Sequence, residues 1–264
     1  MKKRTRRIVI VLLAAVFAVS LGGVLYHQLR YGENDRAVSD ARRLAGAPEA
    51  SPRPAAPAEE PAEENPAEED PAEEDPWADV DLEALQEVNS AVVGWLAIPG
   101  TEISYPLIRP QDNQTYLTHS WDGTPTSAGA IFLDYRVAWE PRGFNTIIYG
   151  HNMRNGTMFG GLRNYRREGF WEQCPTVVLI DGEGVHYYDI FAAWEPRVTD
   201  APFQTDVSTE EGRRTFLDTA LGRSVIQTGV VPAVDSEVLT LSTCASVGYA
   251  TRWVVQAVLR EEAL

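Results

Sequence analysis

Three residue types in this chain can together break and remake an amide bond: a cysteine, a histidine and an arginine. Cys244 ends the apolar run Val238-Leu239-Thr240-Leu241-Ser242-Thr243, and Arg252 opens a second run that continues Trp253-Val254-Val255-Gln256-Ala257-Val258-Leu259. His151 follows a third, Asn145-Thr146-Ile147-Ile148-Tyr149-Gly150. A thiolate attacks a carbonyl carbon and forms a thioester. An imidazole protonates the leaving amine and later takes a proton from the incoming nucleophile. The tetrahedral intermediate carries an oxyanion, which a permanently protonated guanidinium stabilises. Each residue also has an ordinary reading. A cysteine ending a buried strand is a small core residue, a histidine after glycine is a turn residue, and an arginine opening a strand is a surface ion-pair partner.

The spacing of the runs favours chemistry. Only residues 245–251 separate Cys244 from Arg252. A connection that short joins antiparallel neighbours, so thiol and guanidinium fall at one sheet edge. His151 lies at the C-terminal end of its own strand and meets them if that strand is suitably placed. The chain has two cysteines, which could form one disulfide outside the cell. Cys174, followed by Pro175 and a Val-Val-Leu-Ile stretch, reads instead as a small buried apolar residue.

The surrounding elements are short and β-rich. Strands are expected over 93–98, 103–108, 130–134, 146–149, 176–180, 185–194, 238–243 and 252–259, separated by turn residues. Eight strands are enough to close a small barrel. Helices are expected at 82–89 and after Ser208. There Ser208 with Glu211 forms a capping-box pattern, Phe216, Leu217, Ala220 and Leu221 make an apolar stripe, and Gly222 ends it. The catalytic domain is read as 77–264.

The N-terminal third is of another kind. Residues 1–7 carry five basic groups, and 8–26 are uncharged and mostly Val, Leu, Ala and Ile. Nineteen residues span roughly 28 Å as a helix, about one hydrocarbon core. Preceding positive charge stays in the cytoplasm. The expectation is therefore an uncleaved membrane anchor, N-terminus inside and the bulk of the chain on the extracellular face; a cleaved signal peptide is the rival. Residues 27–76 read as a juxtamembrane segment, with a short helix within 30–44, followed by an acidic linker. Its repeat, PAEEPAEENPAEEDPAEEDP, cannot bury enough apolar surface to offset its ordering entropy and reads as a solvated spacer. The formal net charge is −15, with 24 acidic and 13 basic residues from Trp77 onward, all 13 of them arginine. That balance argues against nucleic acid as a partner.

The string Thr240-Leu241-Ser242-Thr243-Cys244, with Arg252 eight residues on, resembles the sortase signature. So does Ile147-Ile148-Tyr149-Gly150-His151-Asn152-Met153 with Gly156-Thr157-Met158-Phe159. Upstream, Val93-Gly94-Trp95-Leu96, Tyr105-Pro106, Asp112-Asn113, Tyr116-Leu117 and Ala130-Ile131-Phe132-Leu133-Asp134 are similar to class B sortases. The resemblance runs from about Leu82 to Leu259 and implies a mainly β, eight-stranded sortase-type barrel with peripheral helices. It implies a cysteine transpeptidase that cleaves a C-terminal sorting motif of secreted proteins and passes the acyl group to an amine, of a peptidoglycan precursor or of a pilin. Catalytic roles then fall to His151, Cys244 and Arg252, and groove-lining roles to Asn113, Leu117, Tyr149 and Ser242. No metal or cofactor is expected. Asp75-Pro76-Trp77 looks like the lid motif of pilus-building class C sortases, although its Asp-Pro half also completes the acidic repeat. A hydrolytic cysteine protease and a non-enzymatic binding module remain the competing readings.

Overall fold

The computed structural model describes residues 13, 16, 17, 35–48, 75–140, 142–244 and 250–260. Eight strands form a closed barrel: β1 (Val92–Ala97), β2 (Ser104–Ile108), β3 (Ile131–Leu133), β4 (Asn145–His151), β5 (Thr176–Asp181), β6 (Gly184–Trp194), β7 (Val238–Cys244) and β8 (Val254–Leu259). Around the barrel the order is β1-β2-β3-β4-β7-β8-β6-β5, with β5 pairing back onto β1. Two pairings are parallel, β2 with β3 and β4 with β7. The short connection after Cys244 does make β7 and β8 antiparallel neighbours.

Alternation along the strands separates the interior from the outer layers. On β7, Leu239 and Leu241 enter the interior core with Leu107, Ile148, Leu179, Ile190 and Val255. Val238 belongs to an outer cluster with Val254 and Val258, covered by Phe216, Leu217 and Ala220 of α4 (Glu210–Arg223). Two helix ends differ from the expectation. The N-cap of α4 is Thr209, whose hydroxyl accepts from Gly212 N at 3.1 Å, not Ser208. The helix also runs through Gly222 and stops at Ser224, whose extended backbone leaves the helix and whose hydroxyl accepts from Ala193 N. Strand β8 begins at Val254, because the Arg252 amide donates to the Pro196 carbonyl outside the ladder.

A second outer cluster lies over β1 and β5. Leu85 of α2 (Leu82–Val88), Trp77 and Trp95 gather there with Ala41, Ala45 and Ala47. Residues 35–45 are helical (α1) and pack on the barrel. Ala37, Ala41 and Ala45 recur at i, i+4, i+8, so one face of α1 carries only methyl groups and approaches closely. Trp121 Nε1 donates to the Ala37 carbonyl at 2.8 Å, and Asp81 N donates to the Ala45 carbonyl at 2.9 Å. The structured chain thus starts before Trp77. The proposed anchor, 8–26, lies outside the described residues apart from Leu13, Val16 and Phe17, which are helical and exposed. Among the described residues no helix is long and apolar enough to cross a membrane.

At the end of the barrel where β4 and β7 begin, Arg142 gathers charge. Its guanidinium pairs with Asp181 and with Glu237 (2.7 Å), lies 3.8 Å from Glu183, and stacks 5.5 Å above Trp139. Tyr188 donates to Glu237, and His186 is 2.9 Å from Asp181. Asp181, Glu183 and His186 are the described residues whose ligand atoms group as a metal site would need. Arg142 already serves as their counter-ion.

Candidate active site

β4 and β7 run parallel in register, and the last pair of that register is His151 opposite Cys244. Adjacent strands lie about 4.8 Å apart, so the two backbones are neighbours at one rim of the barrel. Gly150 precedes His151 because nothing larger fits: a Cβ there would lie 2.5 Å from Ile131 Cδ1 and 2.7 Å from the Phe159 ring. His151 Nε2 donates to the Leu117 carbonyl at 2.7 Å. A carbonyl oxygen only accepts, so Nε2 carries the proton and Nδ1 is the nitrogen left to exchange one. Gly129, at φ +63°, allows this approach, since a Cβ there would lie 3.0 Å from His151 Cδ2 and 2.5 Å from the Tyr116 carbonyl. Asn89 Nδ2 donates to both Tyr116 Oη and the Trp121 carbonyl, bracing the segment that holds the histidine.

A groove of about 340 Å³ opens at this rim, lined by Asn113, Leu117, Phe132, Arg136, Tyr149, His151, Val198, Phe203 and Arg252. It brings together His151, Arg252 and three of the four residues named for substrate contact. The fourth, Ser242, is fully buried opposite Tyr149 in the β4–β7 register and does not line the groove. Trp77 is buried in the outer cluster with Trp95 and Leu85 rather than over the groove, so the Asp75–Trp77 segment does not act as a lid here. Arg136, Phe132, Val198 and Phe203 were not legible as groove residues. Phe132 and Tyr149 are register partners of β3 and β4, with rings 5.7 Å apart.

One buried carboxylate organises the polar wall. The Asp134 side chain is 0% exposed and accepts from Arg136 Nε (2.9 Å), Arg136 Nη2 (2.6 Å), Arg136 N (3.0 Å) and Tyr149 Oη (3.0 Å). Burial pushes its pKa up, but the hydrogen bonds from Arg136, Asn113 and Tyr149 outweigh burial and hold the carboxyl below its ordinary pKa. Asn113 Oδ1 in turn accepts from Tyr135 N at 3.0 Å.

Cys174 lies far along the chain from this register, in the interior core, 2% exposed and free; burial pushes its thiol pKa up. It is the inert apolar residue expected, not half of a disulfide.

A closed eight-stranded barrel with a histidine and a cysteine paired across parallel strands at its rim defines a sortase. The chain belongs to that family: the family model, Sortase domain, matches residues 96–260. The relatives it matches are class B. It is 37% identical to Sortase B of Listeria monocytogenes over 164 residues, 62% of this chain and 67% of that protein. It is 31% identical to Sortase B of Staphylococcus aureus over 162 residues, 61% of this chain and 66% of that protein, just under two thirds of its length. Among solved structures, sortase B from B. anthracis in complex with AAEK1 superposes with a TM-score of 0.71 at 26% identity, over 89% of this chain and all of that one. The Staphylococcus aureus sortase B-substrate complex gives 0.65 at 30% identity, over 69% of this chain and 85% of that one.

Proposed function

We propose that this chain is a membrane-anchored transpeptidase of the class B sortase type, with Cys244 as nucleophile, His151 as acid and base, and Arg252 as oxyanion donor. The observation that carries it is the in-register pairing of His151 with Cys244 beside a groove that Arg252 also lines. The Cys244 thiolate attacks the scissile carbonyl of a sorting signal. Arg252 steadies the oxyanion, and His151 Nδ1 gives its proton to the leaving amine, so the C–N bond breaks and a thioester remains. An incoming amine then attacks the thioester, gives its proton back to Nδ1 and releases the thiolate. Residues 8–26 hold the domain on the extracellular face of the membrane, where secreted proteins bearing the signal pass. The acceptor is an amine of a peptidoglycan precursor. Support for that choice comes from a related structure, sortase B complexed with triglycine, a short peptide of the kind that carries a free amine.

The test is mass spectrometry of the full-length protein with a randomised fluorescence-quenched peptide library. An acyl adduct on Cys244 that added triglycine discharges into a ligated peptide is the expected result. Cys244→Ala should abolish the adduct and Cys174→Ala retain it. Release as free acid at the same rate with or without amine would make the protein a hydrolase. Transfer only to a lysine-bearing pilin-type peptide would make it a polymerising enzyme.

A further inference from the structure

Arg136 is placed as more than the partner of Asp134. Asp134 is 0% exposed, while 45% of the Arg136 side chain stays accessible and lines the groove together with Asn113 and Tyr149. A guanidinium carries five N–H donors. Asp134 takes one from Nε and one from Nη2, so both on Nη1 and the second on Nη2 remain. The fork is rigid and held at two points, so the remaining donors have a fixed direction. Asp134 balances the charge, which leaves the pair suited to a neutral acceptor rather than to a carboxylate.

We propose that Arg136 is a specificity-determining residue of the groove, donating from Nη1 to a neutral amide oxygen of the bound peptide, with Asp134 as its positioning residue. The proposal rests on the transpeptidase reading above. It adds to the groove a polar contact that the sequence motifs do not mark. The same carboxylate also holds Tyr149 Oη, so one buried group sets the direction of two groove side chains.

The experiment takes the peptide that the full-length protein cleaves best from the randomised library and measures kcat and KM for wild type, Arg136→Lys and Asp134→Asn. Lysine keeps a cation on Asp134 and so keeps the fold, but it loses the directed donors. A hydrogen bond from a charged donor is worth about 10- to 100-fold in an equilibrium constant, so Arg136→Lys should raise KM by at least about 10-fold. Its kcat should stay within about threefold, because the contact exists in ground and transition states alike. Asp134→Asn, which keeps Arg136 but frees its direction, should raise KM in the same sense. An alanine scan of the peptide on both proteins then assigns the oxygen. A position whose replacement no longer matters in Arg136→Lys identifies a side-chain carboxamide, and a raised KM with no such position identifies a main-chain carbonyl. A KM for Arg136→Lys within about twofold of wild type at an unchanged thermal midpoint overturns the inference while leaving the enzyme reading intact. Wild-type protein that cleaves no peptide in the library overturns both.

Discussion

Replacing Arg142 by methionine should lower stability sharply without touching the chemistry. The Arg142 side chain is 8% exposed, and it faces Asp181 at 5% and Glu237 at 19%. Methionine preserves most of the stem that packs against Trp139 but leaves two largely buried carboxylates with no guanidinium between them. Breaking a buried pair by removing one partner costs about 3–5 kcal/mol, against about 0–1 kcal/mol for an exposed one. For a domain of this size each kcal/mol shifts the thermal midpoint by about 2–4 °C, so a fall of about 6–20 °C is expected. Circular dichroism melts at neutral pH measure it. A second change, Glu237→Gln, removes one of the stranded charges and should recover part of the loss. Arg142 and Glu237 stand just before the starts of β4 and β7, whereas His151 and Cys244 stand at their ends. Peptide cleavage well below the midpoint should therefore stay near wild type. A midpoint lowered by less than about 2 °C would show that the network is no more than a solvated surface pair and refute the argument.

Arg252→Lys should be severely impaired although the charge is kept. Loss of one oxyanion donor removes about 10²–10³ in rate, mainly in kcat, and activity within about threefold of wild type would remove Arg252 from the site. Asp134 titrates below its ordinary value in the fold, so its contribution to stability is complete above about pH 4, the unfolded value, and disappears as pH falls through the lowered one. The stability gap between wild type and Asp134→Asn should accordingly be flat at neutral pH and close only below about pH 4 in acid-titrated denaturation; a gap that closes near pH 6 contradicts this. Replacing residues 50–73 by a six-residue Gly/Ser link should leave cleavage intact and stabilise the fold by about 1 kcal/mol, because closing a shorter loop costs less entropy. A destabilised or inactive deletion would give the acidic repeat a role in the folded domain.

The barrel was largely legible because each strand carries its own signal: a short β-branched run bounded by turn residues needs no partner to be recognised. What brings the runs together was not. The meeting of His151 and Cys244 depends on a parallel pairing between strands separated by the whole stretch 152–237, and no local pattern encodes it. The Leu117 carbonyl that orients His151 is a backbone group, which any residue type would supply. Arg136 stood just beyond the recognised Ile131-Phe132-Leu133-Asp134 string, and its place in the groove arises from β3 pairing on β4. Ser242 was assigned to the groove by resemblance, but it sits in the middle of the sheet between its register partners Tyr149 and Val254 and is fully buried. Helix α1 was missed as part of the domain because alanines at helical spacing read as a weak apolar face; the indoles that share their cluster, Trp77, Trp95 and Trp121, lie far from them in the sequence pattern.

Docking of α1 sets how far the domain could stray from a membrane if residues 8–26 anchor it as proposed. Ala45 and Asp81 are joined by a hydrogen bond, and Ala47 and Trp77 share one apolar cluster. The two ends that flank the acidic repeat are therefore held at the same place on the domain, so its length adds nothing to the leash. With residues 8–26 as the anchor, only residues 27–34 separate bilayer from domain. Eight residues reach at most about 28 Å even when fully extended. If residues 8–26 anchor the chain as proposed, the start of α1 stays within that reach of the bilayer, and the acidic repeat serves some purpose other than distance from the membrane.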